Sequence, residues 1–212
     1  PSIMTTNPPG LSPLIELRAI ETAYKRIKKV AKQTPLHHNR WLSERFGANI
    51  YFKREDLQVV RSYKIRGAYN NIASHSSEAL ANGVVCASAG NHAQGFALAC
   101  KELRVSGKVF MPITTPGQKI DKVRLFGGDY VQIELVGDTY DAAYEEALRE
   151  SESENKLFIH PFNDRATIAG QATVGKEIYE QFEGDHIDYI LVPVGGGGIS
   201  AGIGSYIKQI SP

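Results

Sequence analysis

Three short stretches hold residues whose types and spacing suit covalent and ionic chemistry. The first is Ile187–Ile199, IDYILVPVGGGGI, where an apolar run enters four consecutive glycines, Gly195–Gly198, and leaves into what reads as a helix over 199–210. A strand that stops at such a turn and restarts as a helix leaves several backbone N–H groups pointing one way. No Cβ stands in front of them, and the helix dipole favours an anion there. The pattern is that of a phosphate cradle, with the owner of the phosphate unspecified.

The second stretch is Ser88-Ala89-Gly90-Asn91-His92, again just after a predicted strand and just before a predicted helix. Its N–H groups, the Ser88 hydroxyl and the Asn91 amide suit a second anion such as a carboxylate. Ser and Asn are also ordinary helix caps, and His92 alone reads as a polar residue at a helix start. The third is Lys64 in RSYKIRG, at the opening of a helix. The helix dipole repels a cation at that end, which favours the neutral amine that a Schiff-base lysine needs. Two anion-holding helix starts and one such amine match an aldehyde cofactor bearing phosphate, together with an amino-acid substrate bearing carboxylate.

Positioning these groups requires a regular framework, and the hydrophobic pattern supplies one. Ser12 and Pro13 open a helix over 14–32, whose polar side carries Lys25, Arg26, Lys28, Lys29 and Lys32 and reads as a solvated face. Thr34-Pro35 stops it. A strand at 50–54 and a helix at 64–81 follow. Strands at 84–87, 108–112, 130–135, 156–159 and 187–194 then alternate with helices at 91–104, 116–126, 138–152, 165–182 and 199–210. Thr115-Pro116-Gly117-Gln118 reads as a capping box with proline first in the helix. Strand 130–135 alternates Val131, Ile133 and Leu135 against Gln132 and Glu134, the pattern of an edge strand with one wet face. The series implies βαβ units, an α/β fold with parallel sheets and flanking helices, and ligands at the C-terminal ends of strands.

KREDLQVVRSYKIRGAYN, SAGNHAQGFALA, FMPITTPGQK and PVGGGGISAG together resemble the fold-type-II pyridoxal-phosphate enzymes, and among them the threonine dehydratase group. The resemblance runs from about Thr34 to the end of the chain. It implies a two-domain, tryptophan synthase β-like fold. Residues 1–58 and 160–212 would form part of a large cofactor domain, and 59–159 a small α/β domain. It also implies pyridoxal 5'-phosphate as cofactor. Lys64 would carry it covalently and later move the substrate Cα proton, and Asn91 would bond its ring hydroxyl. Gly195, Gly196, Gly197 and Gly198 with the Ile199 amide would hold its phosphate. Ser88, Ala89, Gly90, Asn91 and His92 would grip the substrate carboxylate. The implied reaction is β-elimination from L-threonine, or secondarily serine, giving 2-oxobutanoate and ammonia as in isoleucine synthesis. A homo-oligomer is expected on the same ground.

Two departures stand out. Tyr63 occupies a position where the family pattern usually has Phe. The chain also ends at Pro212, one helix past the glycines, whereas the family continues through further large-domain strands and a serine at the pyridine nitrogen. The expectation is an incomplete large domain, apolar faces such as Ile203, Ile207 and Ile210 left uncovered, and weak or absent turnover by this chain alone.

The bulk numbers narrow the classes. At 212 residues the chain can bury a sizeable core, and 42% hydrophobic with 22% charged residues is ordinary globular composition. A net charge of +1 gives no general reason to bind nucleic acid or an anionic membrane. Cys86 and Cys100 are too few for a disulfide scaffold and match no metal spacing, which suggests a reducing, cytoplasmic setting. The N-terminus shows no secretory pattern, and six glycines within Tyr189–Ile207 argue against a membrane span. No GK[ST] follows the glycines, so a P-loop is excluded. A nicotinamide dehydrogenase would use Gly195–Gly198 as its turn but needs an acidic residue about 20 positions on, and leaves Lys64 and the SAGNH loop unexplained. A serine dehydratase or racemase of the same family, or a non-catalytic fragment, completes the alternatives.

Overall fold

The computed structural model describes residues 14–182 and 186–211. Ser12 and Pro13, expected to open the first helix, lie outside them. Helix α1, Leu17–Ile27, buries Ile20, Ala23 and Ile27, spaced three and four apart along one face. It stops short of residue 32 for a tertiary reason. The Gln58 side chain accepts the Lys32 N–H at 2.9 Å and donates to the Lys32 carbonyl at 2.7 Å, drawing the chain out of the helix.

Strands β1, Leu36–His38, and β2, Tyr51–Lys53, pair antiparallel around helix α2, Arg40–Phe46. Asn39 caps α2, and Gly47 ends it in the left-handed region at φ 61°. Neither β1 nor α2 was expected, since each is too short to show a periodic pattern. Helix α3, Lys64–Ile72, ends well before residue 81. The hydroxyl of Ser74 donates to the Asn71 carbonyl at 2.7 Å and that of Ser76 accepts from the Ala79 N–H at 3.3 Å, local bonds that compete with helix continuation.

The parallel sheet has the order β5-β4-β3-β6, from β3 (Val84–Ala87), β4 (Gly107–Met111), β5 (Val131–Leu135) and β6 (Leu157–Phe158). Central β3 is buried throughout, and β5 lies on the edge with Gln132 and Glu134 exposed, as its alternation implied, while Leu135, expected on the inner face, is exposed as well. Helices α4 (Asn91–Leu103), α5 (Gly117–Gly127) and α6 (Tyr140–Ser153) link these strands. The Thr115-Pro116 capping box does not form. Pro116 takes the cap position with ψ 138°, α5 begins at Gly117, and the Thr115 hydroxyl is buried without a partner. Cys86 and Cys100 are both buried free thiols.

Helix α7, Arg165–Gln181, is the element against which both chemically important helix starts are set. A Cβ on Gly170 would collide with the Arg66 carbonyl and lie 2.7 Å from the Gly67 Cα, so α3 meets α7 backbone to backbone. Helix α8, Gly198–Ile210, does likewise, since a Cβ on Gly202 would lie 2.7 Å from the Ala172 nitrogen. This packing corrects one expectation. Ile203 is buried against Val174 and Ile178, while Ile207 and Ile210 pack against the Ile15–Ile20–Tyr206 cluster. Exposed apolar side chains near the glycine turn lie instead on 187–194, which is not a strand. It pairs with no strand among the described residues, so it has no ladder to define it. Ile187, Ile190 and Val192 rest on the α7–α8 cluster, and Tyr189, Leu191 and Val194 face solvent. None of the described helices is long and apolar enough to cross a membrane.

Candidate active site

Lys64 is the first residue of α3, and its Nζ donates to the Pro161 carbonyl at 2.8 Å. Burial lowers its pKa from the ordinary lysine range, and the positive end of the α3 dipole acts in the same direction. Its charge also presses on two histidines. Burial first, and Lys64 second, hold the fully buried His92 down to about 3. Burial, with a smaller contribution from Lys64, lowers His160. His92 donates its Nε2–H to the Ile159 carbonyl at 3.0 Å, so its buried Nδ1 is a bare lone pair. What His92 offers a carboxylate is therefore its backbone N–H, because its imidazole is neutral and turned toward Ile159.

The SAGNH loop adjoins Lys64 through another close approach. A Cβ on Gly95 would lie 2.9 Å from the Ile65 nitrogen, so the first turns of α3 and α4 touch. Within the loop, the Ser88 hydroxyl accepts the Gly90 N–H at 3.2 Å, which braces the turn and leaves the hydroxyl hydrogen available. Ala89 and Gly90 are partly exposed, Asn91 is exposed, and a Cβ on Gly90 would meet nothing within 4 Å.

The glycine turn reaches the same place from the other side. Gly197 caps α8 with φ 84°, a left-handed conformation that glycine adopts without strain. The N–H groups of the first turn, Gly198, Ile199 and Ser200, have no intrahelical acceptors by construction. Cβ atoms on Gly195 or Gly197 would meet nothing within 4 Å, whereas one on Gly196 would run into the Phe162 ring and one on Gly198 would lie 3.0 Å from the Phe162 Cα. The turn is thus bare on one side and packed on Phe162 on the other. Phe162 directly follows Pro161, whose carbonyl holds the Lys64 amine. Amine and glycine turn meet on adjacent residues of one loop.

That loop, His160–Asn163, was missed in the sequence. Its position after a parallel strand and before the Asp164 cap of α7 was the available signal. The His160 Nδ1 accepts the N–H groups of Phe162 at 3.2 Å and Asn163 at 2.8 Å, which fixes the neutral Nε2–H tautomer. The Asp164 carboxylate accepts from Thr167 N at 2.9 Å and from Asn71 Nδ2 at 2.8 Å, tying the loop to α3. Grooves of about 490 and 500 Å³, one running between Lys32 and Arg61 and one between α1, α3 and α7, lie apart from these groups.

Pyridoxal 5'-phosphate fits this set. The half-buried amine suits its aldehyde, the bare first turn of α8 suits its phosphate, and the open face over Gly195 and Gly197 leaves room for it. Fold and fit together suit an α/β enzyme class that uses a phosphate-bearing aldehyde cofactor. Residues 27–212 match the model of the family described as pyridoxal-phosphate dependent enzyme, and the chain belongs to that family. The nicotinamide alternative falls with that membership. The chain is similar to the biosynthetic L-threonine dehydratase IlvA of Halalkalibacterium halodurans, with 52% identity over 93% of this chain and 48% of the relative. The protein of the same name from Bacillus subtilis is 50% identical over 94% of this chain and 47% of its own length. Among solved structures, the processed form of threonine deaminase isoform 2 from Solanum lycopersicum superposes with a TM-score of 0.84 at 43% identity, covering 97% of this chain and 59% of that one. Maize serine racemase gives a TM-score of 0.88 at 33% identity over 94% of this chain and 59% of that one. The chain spans about half the length of the curated relatives it matches.

Proposed function

We propose that this chain carries the amine and the phosphate cradle of a pyridoxal-phosphate-dependent threonine dehydratase (threonine ammonia-lyase), which turns L-threonine into 2-oxobutanoate and ammonia in isoleucine synthesis. The observation that carries the reading is the meeting of Lys64 and Gly196 on the neighbouring residues Pro161 and Phe162. The names of the relatives support threonine as substrate, with serine as a second one.

When bound, the cofactor supplies an aldehyde for the lysine and a conjugated ring that takes up the electron pair left at the substrate Cα. The N–H groups from Gly195 to Ile199 would hold its phosphate, and Asn91 would bond its ring hydroxyl. N–H groups of Ser88–His92, with the Ser88 hydroxyl, orient the substrate carboxylate. Lys64, whose pKa burial lowers, takes the Cα proton at Nζ in its neutral form. Residues 59–159 form the small domain and 1–58 with 160–212 belong to the large one. The working form is a homo-oligomer in the cytoplasm, a setting with which two free buried thiols agree.

The test is release of 2-oxobutanoate from threonine by the chain loaded with pyridoxal 5'-phosphate. Whatever release occurs, weak as it is expected to be from this chain alone, should vanish in Lys64→Ala, and equal, measurable release from both chains would contradict the reading. Chiral analysis of serine incubated in parallel separates dehydration from racemisation, the alternative suggested by the maize relative.

A further inference from the structure

Phe162 has no role in the reaction as derived above, yet its placement is unusual. Its ring lies where a side chain on Gly196 would stand, and its Cα is 3.0 Å from where one on Gly198 would be. Its own N–H is held by the His160 Nδ1 at 3.2 Å, and the His160 ring meets it edge-on with centroids 4.7 Å apart. The preceding residue, Pro161, holds the Lys64 amine through its carbonyl at 2.8 Å. The loop is tied down further, since the Thr167 hydroxyl donates to the His160 carbonyl at 3.1 Å.

We infer that Phe162 is a positioning residue that sets the distance between the phosphate-holding turn and the Lys64 amine. This rests on the proposed cofactor role of those two groups. The glycine turn is bare on its outer side, α8 behind it is anchored on α7 through Ile199 and Gly202, and Phe162 is the neighbour that meets the turn at Gly196 and Gly198. The ring supports it from beneath at Gly196, and the backbone and Cβ of Phe162 do so at Gly198. A contact this tight between backbone and ring is stiff, because an aromatic side chain has only two torsions to yield. Shrinking the ring lets the turn sink away from the amine. Adding a methyl at Gly196 lifts the turn or displaces the loop that carries Pro161. Either change leaves Lys64 reactive but mismatches it to a ligand that must reach both groups.

Two aldehyde probes separate reach from reactivity. Pyridoxal 5'-phosphate needs both the amine and the turn, whereas pyridoxal, which lacks the phosphate, needs only the amine. Affinity for each is read from the visible absorbance of the covalent adduct in the parent chain and in Phe162→Leu, Gly196→Ala and the Gly196→Ala/Phe162→Ala double variant, with circular dichroism reporting folding. Phe162→Leu and Gly196→Ala are expected to weaken the phosphate-bearing probe by roughly tenfold or more while pyridoxal stays unchanged. The double variant regains most of the loss of Gly196→Ala, since the collision is gone. A ratio of the two affinities unmoved by Phe162→Leu overturns the inference alone, as does a double variant no better than Gly196→Ala. Should Gly196→Ala fail to fold, Phe162→Leu decides by itself. A parent chain that forms no adduct with either aldehyde overturns the cofactor reading as well.

Discussion

The guanidinium of Arg66 meets the carboxylate of Glu177 in a two-point pair, 2.7 Å at Nη1 and 2.8 Å at Nη2, with both side chains buried. Glu55 completes the arrangement with bonds of 2.9 and 2.7 Å to the same guanidinium, and Lys53 Nζ lies 2.6 Å from Glu177. Burial opposes the Arg66 charge, but the two carboxylates outweigh it and hold the side chain firmly protonated. Two cations and two anions balance in the interior, and they join α3, two residues past Lys64, to α7.

Breaking that balance strands a charge. Glu177→Ala is expected to destabilise the fold by about 3–5 kcal/mol, whereas replacing Lys53, Glu55, Arg66 and Glu177 all together by apolar residues costs far less, because no lone ion remains. Urea unfolding of the two variants checks this.

The amine of Lys64 should react at lower pH than an exposed lysine. Burial places its pKa under the ordinary 10.5, so its neutral form appears at a lower pH than that of an exposed lysine. The rate of adduct formation with pyridoxal 5'-phosphate is expected to climb with pH, with its midpoint below that of an exposed lysine. Stopped-flow absorbance across the pH range measures it.

Acid sensitivity follows from the histidines. His92 is held neutral, from 6.5 when unfolded to about 3 when folded, so the unfolded chain binds the extra proton in that window. Stability is complete above 6.5 and falls as the pH drops toward 3, by up to about 1.4 kcal/mol per pH unit where the proton is fully linked. His160 is lowered as well and acts in the same direction. Chemical unfolding at several pH values should show the slope, and His92→Gln should reduce it.

Two glycine substitutions should part stability from binding. Gly170→Ala forces α3 off α7 and is expected to cost about 1–3 kcal/mol. Gly195→Ala meets nothing in the fold and should leave the thermal midpoint unchanged, while its methyl intrudes on the bare side of the turn and weakens binding of pyridoxal 5'-phosphate. Thermal melts alongside titrations with the cofactor distinguish the two.

The sequence showed the parallel strands, the wet edge at β5 and the three chemical stretches, because each rests on local periodicity or on glycine and cap chemistry. It misplaced what depends on distant partners. Gln58 ends α1 by taking the Lys32 backbone, a contact across 26 residues. Segment 187–194 has the residues of a strand and lacks the ladder. Pro161 and Phe162 carry no polar side chain that would advertise them, since their contribution is a backbone carbonyl and a ring face. The ion cluster at Arg66 was hidden for a similar reason, as its members lie at residues 53, 55, 66 and 177.

The most direct test of the central claim is borohydride reduction of the chain mixed with pyridoxal 5'-phosphate, followed by peptide mapping. The pyridoxyl group should be found on Lys64, with the yield collapsing in Lys64→Ala and falling when inorganic phosphate competes for the glycine turn. A label spread over exposed lysines and indifferent to phosphate would mean that Lys64 and Gly195–Gly198 do not serve one ligand.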